Sequence, residues 1–263
     1  MSDRTDQIKQ LRREPPAFRR VEIDRIAELS PHSRRITFAG DELEGLVIDE
    51  PAASVRLLVP SAGADGLVMP AWNGNEFLLP DGRRPLIRTF TPRFLRTGPA
   101  ELDLDIVLHG DEGVSGWATR AVPGGGAAIS GPGRGYEIDP AADPLLLIGD
   151  ETALPAIGQL LEVIPAGTPV VVHVEVARPD ARIDLPAHAA ATVAWHDLKP
   201  GDAPGTAMLA AIEAETIGPD ARVWVAGEAA GVQRIRKHLA GKDVDRRRTT
   251  VRGYWKVGRA GPG

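Results

Sequence analysis

One segment in the first half of the chain places two arginines around an aromatic residue and two hydroxyl side chains. Arg88 is followed by Thr89, Phe90 and Thr91, and Arg93 lies five positions after the first arginine. Alternate side chains of an extended segment face the same way, so Arg88 and Phe90 share a face. An aromatic ring can cover a flavin ring, threonine can hydrogen-bond its polar edge, and a guanidinium pairs well with a pyrophosphate. The segment predicts a flavin platform; the alternative is an edge strand whose arginines face solvent.

A second segment joins the end of a predicted strand to the start of a helix. His109 ends the strand, Gly113 and Val114 lie in a glycine-containing turn, and the helix begins near Ser115. Exposed amide N–H groups at a helix start bind phosphate. The segment is a candidate phosphate site, although two acidic residues in its turn count against an anion close by. The alternative is a plain strand–turn–helix corner.

Two strand ends in the second half of the chain also carry polar residues. Asp150, Glu151 and Thr152 follow a short apolar strand, and Gly227 and Glu228 follow a later one. Open α/β sheets bind their ligands at the carboxyl ends of parallel strands. Neither segment has the glycine fingerprint of dinucleotide-binding folds. Both are candidates for contact with a bound ligand.

The composition limits the chemistry that this chain can perform. The 263 residues are 43% hydrophobic and 25% charged, which is typical of a globular protein, and the formal charge of −5 gives no sign of nucleic-acid binding. The absence of cysteine excludes disulfides, thiolate nucleophiles and protein-ligated iron–sulfur clusters. Redox chemistry would therefore need a bound cofactor. The histidines lack metal-ligand spacing, so we predict no metal site.

The sequence shows no segment that predicts export or membrane insertion. Its N-terminus is charged rather than apolar, and its apolar runs are far shorter than the ~20 residues of a membrane-spanning helix. We expect a cytoplasmic monomer in which residues 1–16 form a mobile tail.

Two hydrophobic periodicities divide the chain near residue 140. Up to that point short β-type runs alternate with glycine and proline, and residues 101–109 show the strict alternation of a half-buried strand. Beyond Pro144, apolar strands alternate with helical patterns, which indicates a parallel sheet. We predict a two-domain β + α/β fold: a Greek-key-type antiparallel β-barrel over residues 17–140 and an open parallel α/β sheet over residues 141–263.

Taken together, these segments resemble the siderophore-interacting proteins, which are FAD-dependent ferric-siderophore reductases of the ferredoxin-reductase superfamily. The resemblance extends from about Val21 to Gly258 and rests on the Arg88–Arg93 segment and on five other stretches: residues 34–38, 107–110, 149–157, 225–228 and 253–255. One departure is Phe90, which stands where the family usually has tyrosine.

The resemblance implies a role for each candidate residue. The barrel would bind FAD and the α/β sheet NAD(P)H. The residues implied around the cofactors are Arg88, Thr89, Phe90 and Thr91 at the flavin, His109, Gly113, Val114 and Ser115 towards its phosphates and adenine, and Asp150, Glu151, Thr152, Gly227, Glu228, Tyr254 and Trp255 at the cleft. A positive rim of Arg93, Arg134 and Lys256 would attract an anionic ferric siderophore.

The resemblance also implies that NAD(P)H reduces FAD, which then reduces chelated Fe(III) and releases Fe(II). Two other functions stay open: a general flavin or ferredoxin-type reductase, and a shuttle that binds siderophore without reducing it. Arg178 and Arg182 follow the second parallel strand, where a ribose 2′-phosphate could be recognised and NADPH favoured, whereas Glu175 could favour NADH. A ferredoxin-like donor also stays open. Nine basic residues between 236 and 263 support an anionic partner.

Overall fold

Two sheets, one antiparallel and one parallel, organise the chain in the computed structural model, which describes residues 15–139, 141–218 and 220–258. The first is assembled from β1 (Arg19–Ser30), β2 (Ser33–Ala39), β3 (Val55–Val59), β6 (Leu86–Phe90), β7 (Pro92–Thr97), β8 (Ala100–Val107) and β9 (Gly126–Ser130). A separate hairpin pairs β4 (Ala71–Trp72) with β5 (Phe77–Leu78).

The antiparallel sheet is curled. Its strand order is β6-β3-β9-β1-β2-β8-β7, so β6 and β7 lie at opposite edges. Only Thr91 separates these two strands along the chain, and one residue spans less than 4 Å. The two edges must therefore meet, which confirms the predicted antiparallel barrel-type sheet in the first half of the chain.

Strand β8 shows why the alternating pattern forms this sheet. Leu102, Leu104 and Ile106 are fully buried in the barrel core. Asp103 and Asp105 point to the other face, where each accepts hydrogen bonds from an arginine of a neighbouring strand. Helix α1 (Gly113–Arg120) packs on the same core and lies beside β6.

The second sheet is parallel, as predicted. Its five strands have the order β12-β11-β10-β13-β14, with β10 at Leu145–Asp150, β11 at Val170–Val176, β12 at Ala191–Asp197, β13 at Arg222–Glu228 and β14 at Thr249–Trp255. Helix α2 (Leu154–Val163) covers one face, and α3 (Thr206–Ala214) and α4 (Ala229–Gly241) cover the other. Among the helices that the structure describes, none is long and apolar enough to cross a membrane.

Polar contacts fasten the two sheets to each other. Gln159 of α2 accepts a hydrogen bond from the backbone N–H of Ala52 at 2.9 Å and donates one to the carbonyl of Pro92 at 2.7 Å. Arg252 of β14 donates to the carbonyls of Ala52 and Arg134 on the barrel side. The turn at the carboxyl end of β10 contacts β8, so the carboxyl edge of the parallel sheet lies beside the barrel.

The N-terminal tail prediction falls mostly on residues 1–14, which lie outside the described ranges. The described end of that segment contacts the barrel, because the carbonyl of Pro16 accepts a hydrogen bond from Ser130 Oγ at 2.5 Å.

Candidate functional site

Arg88 is a half-buried cation with no counter-charge among the residues that the structure describes. Its strand β6 pairs with β3 so that Leu57 lies opposite Arg88 and Val55 opposite Phe90. Directly opposite residues share a face, so Arg88 and Phe90 point to the side of the barrel core. The Arg88 guanidinium donates to the carbonyl of Ile87 at 2.6 Å, and no carboxylate within the described ranges pairs with it. Desolvation lowers the pKa of Arg88, so an anion placed there would stabilise it.

The turn before α1 is held by Ser115. The Ser115 hydroxyl accepts a hydrogen bond from the backbone N–H of His109 at 2.7 Å and donates one to the carbonyl of Gly110 at 3.1 Å. Gly116 permits this fold-back, because a Cβ there would lie 1.9 Å from the carbonyl oxygen of Asp111. The Ser115 side chain therefore shapes the turn, and the His109 side chain is exposed.

The N-terminus of α1 has no side-chain cap. Glu112 occupies the capping position, yet its carboxylate accepts no hydrogen bond from the helix. Gly113 adopts a φ of +61°, which glycine tolerates at no steric cost. Among the described residues no side chain accepts from the amides of this first turn, and the helix contacts β6, the strand that carries Arg88.

These features fit the binding of FAD. A desolvated guanidinium and an uncapped helix start are both suited to a phosphate. Phe90 is half-buried and can offer a ring face, and Thr91 is buried at the junction of β6 and β7. Thr89 is exposed and lies on the opposite face of β6 from Arg88, and its contact with the cofactor stays a prediction. The remaining assignments of cofactor contacts stay predictions.

Asp150 ties together three strand ends of the parallel sheet. It is 3% exposed. One carboxylate oxygen accepts from the amide and hydroxyl of Thr152, at 3.0 and 2.5 Å, and the other accepts from the amide of Glu228 at 2.9 Å and from Trp255 Nε1 at 2.7 Å. Burial raises the pKa of Asp150. All its hydrogen-bonding capacity is used inside the protein, so it positions Trp255 rather than offering a free carboxylate.

Two other predicted cleft carboxylates are also engaged by the protein. Glu151 accepts a hydrogen bond from the backbone N–H of Ala177, and burial raises the pKa of its carboxyl group. Glu228 is 3% exposed and accepts from the amide of Gly231 at 2.8 Å, at the start of α4. Sequence reasoning placed both residues at the cleft but missed these bonds.

Tyr254 lies where the two sheets meet. Its hydroxyl faces Thr91 and Arg252, and burial raises its pKa. Its ring packs edge-on against Trp224, with the ring centres 6.4 Å apart. The structure thus brings Tyr254 to the end of the Arg88–Thr91 segment, and its contact with a flavin stays a prediction.

Arg93 does not belong to an open positive rim. It is 8% exposed, and its guanidinium forms a bidentate pair with Glu162 of α2, at 2.6 and 2.9 Å. It also stacks over the ring of Phe94 at 4.0 Å. Arg93 therefore fastens the barrel to the parallel sheet, whereas Arg134 and Lys256 are exposed and stay candidates for substrate contact.

The C-terminal basic run is split by the fold. Arg246, Arg247 and Arg248 immediately precede β14 and lie at the amino-terminal edge of the parallel sheet. Arg252 and Lys256 lie towards the carboxyl edge of the sheet, next to the barrel. The basic run is therefore not one continuous surface, because strand β14 carries its two parts to different edges.

The sequence suggested that Glu175, Arg178 and Arg182 could distinguish NADH from NADPH. The structure engages Glu175 and Arg182 in contacts within the protein. Glu175 is 2% exposed, and its carboxylate accepts hydrogen bonds from the amides that begin α3. It is therefore not free to bind a ribose. Arg182 pairs with Asp197 at 2.6 Å, whereas Arg178 is exposed directly after β11.

One buried polar cluster was not anticipated. His173 of β11 is 7% exposed; its Nδ1 lies 2.9 Å from His196 Nε2 and its Nε2 lies 3.0 Å from Glu215 Oε1. These residues are far apart in sequence, so no local pattern could connect them. The part of the chain that the structure describes holds no group of three or more side chains arranged to bind a metal ion.

A curled antiparallel sheet followed by a parallel five-stranded sheet with helices on both faces is a ferredoxin-reductase-like fold. A ferredoxin reductase of carbazole 1,9a-dioxygenase superposes with a TM-score of 0.69 at 12% identity, over 92% of this chain and 70% of that one. A siderophore utilization protein from T. fusca superposes with a TM-score of 0.84 at 29% identity, over 95% of this chain and 97% of that one.

Family models identify the chain more closely. Residues 22–136 match the siderophore-interacting FAD-binding domain, and residues 142–258 match the siderophore-interacting protein model. Ferric vibriobactin reductase of Vibrio cholerae is 30% identical over 88% of this chain and 86% of its own length. An NADPH-dependent ferric-chelate reductase of Escherichia coli is 27% identical over 90% of this chain and 92% of its own. The chain belongs to the siderophore-interacting protein family.

Proposed function

We propose that this protein is an FAD-dependent ferric-siderophore reductase that takes its electrons from NADPH. The observation that carries the proposal is Arg88, a half-buried cation with no carboxylate partner among the described residues. Its strand β6 contacts helix α1, which begins without a side-chain cap, and both lie in the region that matches an FAD-binding family model. The names of the Vibrio and Escherichia relatives support the reaction and the donor. In this proposal residues 17–140 bind FAD and residues 141–263 bind the donor.

The barrel residues hold the cofactor. Arg88 and the amides of Gly113 and Val114 bind its phosphates, Phe90 covers its ring, and Thr91 hydrogen-bonds the polar edge of that ring. FAD, when bound, accepts a pair of electrons from the donor and passes them on singly.

The cleft residues control access to the cofactor. Asp150 holds the indole of Trp255 in one orientation, because both oxygens of its carboxylate are saturated with donors. Tyr254, packed between Trp224 and Thr91, closes the joint between the sheets. The burial of Asp150 and of the Tyr254 hydroxyl would keep water out of this contact between the two sheets.

The substrate would be a ferric siderophore that docks directly at the cleft. Siderophore oxygens bind Fe(III) strongly and Fe(II) much less, so reduction releases the metal. The chain contains no cysteine and therefore has no protein-ligated iron–sulfur cluster to relay electrons. The exposed cations Arg134 and Lys256 favour an anionic chelate.

The proposal is tested with FAD-loaded protein, reduced by light under anaerobic conditions and mixed with a ferric tris-catecholate. We expect the flavin absorbance to return while Fe(II) appears, as measured with an Fe(II)-specific chromogenic chelator. Uptake of the chelate by protein that binds no FAD would indicate the shuttle. Reoxidation by ferredoxin or free flavin, with no Fe(II) formed from the chelate, would indicate a general reductase.

A further inference from the structure

Ala52 has a left-handed backbone conformation, which residues with a side chain rarely adopt. Its φ is +53°, and it lies 1% exposed in the loop just before β3. Such a conformation costs free energy and persists only where the surrounding structure enforces it. The contacts of Ala52 identify what enforces it in this protein.

Both backbone groups of Ala52 are bonded to side chains of the parallel-sheet half. Its N–H donates to Gln159 Oε1 at 2.9 Å, and its carbonyl accepts from the Arg252 guanidinium at 3.0 Å. Gln159 lies on α2 and Arg252 on β14, so two elements of the second sheet hold one residue of the barrel half. The strained conformation of Ala52 is therefore fixed from outside its own sheet.

Gln159 bridges two barrel strands at the point where their pairing ends. The ladder between β3 and β6 stops at Val55 and Phe90. Ala52 precedes Val55 in the chain and Pro92 follows Phe90, which places both beyond the same end of this antiparallel pair. Gln159 accepts from the N–H of Ala52 and donates from Nε2 to the carbonyl of Pro92 at 2.7 Å. Only one orientation of the amide allows both bonds, because its oxygen accepts and its nitrogen donates.

Thr91 lies at this bridged end, because it is the residue between Phe90 and Pro92. It is 7% exposed, and the Tyr254 hydroxyl faces it. A shift of either bridged strand would move Thr91 and the ring of Phe90, the two residues proposed to contact the flavin ring. Their position therefore depends on a side chain of α2.

A second contact holds α2 against the same junction. Arg93 of β7 forms its bidentate pair with Glu162, which lies on the turn of α2 that follows Gln159. Gly158 leaves room for this arginine, since a Cβ there would lie 3.3 Å from Arg93 Nε. Of these three α2 residues, Gln159 is the one that also bonds to Ala52.

We infer that Gln159 is a positioning residue for the flavin, although it belongs to the half of the chain proposed to bind the electron donor. Its bonds to Ala52 and Pro92 fix the separation of β3 and β6 at the end where the flavin ring is expected. The FAD affinity of the barrel therefore depends on a helix of the parallel sheet. This inference rests on the proposed function, because it takes FAD as the cofactor of the barrel.

The test compares FAD binding by the natural protein and by Gln159→Leu, which nearly keeps the size of the side chain but makes neither bond. We expect binding to be about tenfold weaker in a titration of apoprotein followed by flavin fluorescence, because a buried N–H and a buried carbonyl lose their partner. The visible circular dichroism of the bound flavin should also change, since it reports the surroundings of the ring. Gln233→Leu makes the same replacement at an exposed position of α4 and is the matched control, which should bind FAD normally.

A second substitution separates positioning from a general loss of stability. Glycine adopts a φ of +53° without strain, so Ala52→Gly should let the loop keep its conformation when Gln159 is replaced. Added to Gln159→Leu, it should restore FAD affinity by about threefold or more. A protein that is merely destabilised would gain nothing, because the change also removes a buried methyl group.

Gln159→Glu carries the test if the leucine variant does not fold. Its carboxylate accepts from the N–H of Ala52 but cannot donate to the carbonyl of Pro92, and we expect FAD binding to be about fivefold weaker.

Four results would overturn the inference: no FAD binding by the natural protein, binding by the folded Gln159 variant within about twofold of the natural protein with the same dichroism, an equal loss in Gln233→Leu, or no recovery on adding Ala52→Gly. A natural protein that binds FAD but forms no Fe(II) from the ferric chelate would refute the proposed reaction and leave this inference standing. The two failures are therefore distinguishable.

Discussion

The helix starts of the two halves of this molecule differ in what occupies them. In the barrel, α1 begins without a side-chain cap, and Arg88, on the strand β6 that contacts this helix, lacks a carboxylate partner within the described ranges. In the parallel sheet, Glu175 and Glu228 cap α3 and α4, and Asp150 fills the turn before α2. A strand–turn–helix corner therefore does not by itself leave amides available for a phosphate, because a carboxylate of the chain can cap the helix.

The two halves also differ in whether their helix starts stabilise the fold or remain available to a ligand. A buried carboxylate is costly unless donors satisfy it, and helix amides satisfy it well. The capped starts of α3 and α4 therefore stabilise the parallel sheet, and their bonded amides are not available to a ligand, whereas α2 begins without a side-chain cap. The barrel keeps a desolvated cation and free amides, an arrangement that a bound phosphate would stabilise.

A substitution that displaces the turn at the start of α1 should have the largest effect, which we expect on FAD binding. In Gly116→Ala the new Cβ would lie 1.9 Å from the carbonyl oxygen of Asp111, so the turn must move. We expect FAD binding to be lost, because the amides of the turn are displaced. Titration of apoprotein with FAD, followed by flavin fluorescence, measures this. Gly167→Ala, where a Cβ meets no atom within 4 Å, is the control and should bind normally.

If Gly116→Ala protein folds and binds FAD with unchanged affinity, the start of α1 is not the phosphate site. The contrast between the two halves would then lose its functional meaning.

The next largest effect is expected when Asp150, at the carboxyl edge of the parallel sheet, loses its carboxylate. Asp150→Asn replaces two acceptor sites with an NH2 group that faces donors, and we expect the free energy of unfolding to fall by about 2–4 kcal/mol. Chemical denaturation measures this, and Asp202→Asn at an exposed position is the control. A loss below about 0.5 kcal/mol would show that the carboxylate does not hold the strand ends together.

The same variant gives a pH dependence of known sign. Burial raises the pKa of Asp150 above its ordinary value of 3.8, so the folded protein binds its proton more tightly than the unfolded chain does. The advantage in stability of the natural protein over Asp150→Asn should therefore be largest at low pH, and should shrink as the pH rises from 3.8 through the raised pKa. An advantage that grows with pH would mean that the hydrogen-bond donors outweigh desolvation.

Arg88 should show opposite effects in the presence and absence of cofactor. Arg88→Ala should weaken FAD binding by about tenfold or more, since charge-assisted hydrogen bonds are lost. Without FAD the variant should be at least as stable as the natural protein, because a desolvated cation has been removed. Thermal unfolding with and without FAD measures both. Equal destabilisation in the two conditions would assign Arg88 a purely structural role.

The exposed cations at the cleft should matter least. Lys256→Glu is expected to weaken binding of a negatively charged ferric chelate by a few-fold at low salt and less at high salt, because exposed charges are screened. Fluorescence titration at two ionic strengths tests this. Unchanged affinity at low salt would remove Lys256 from the substrate surface.

Local patterns in the sequence were sufficient to predict the elements. The alternation of Leu102, Leu104 and Ile106 predicted β8, and the helical spacing from Leu154 to Ile164 predicted α2, because each pattern states which face of its own element is buried. The sequence also predicted that Asp150 and Glu228 lie at the same edge of the parallel sheet, because the carboxyl ends of parallel strands meet at one edge.

Partners far along the chain could not be predicted in this way. Glu175 caps a helix that begins thirty residues later, Arg93 pairs with Glu162 of the other half, and the basic run from Arg236 is divided between two edges of the sheet.

The sequence by itself determined the two kinds of sheet, the order of their elements and the family to which the motifs point, since these depend on residues close together in the chain. Only the tertiary structure decided which carboxylates cap helices, and that Arg88 has no counter-charge within the described part of the chain. The physical reason is that the order of the strands and the packing of the helices decide which residue lies next to a buried charge. These residues are far apart in the chain, so no local pattern relates them.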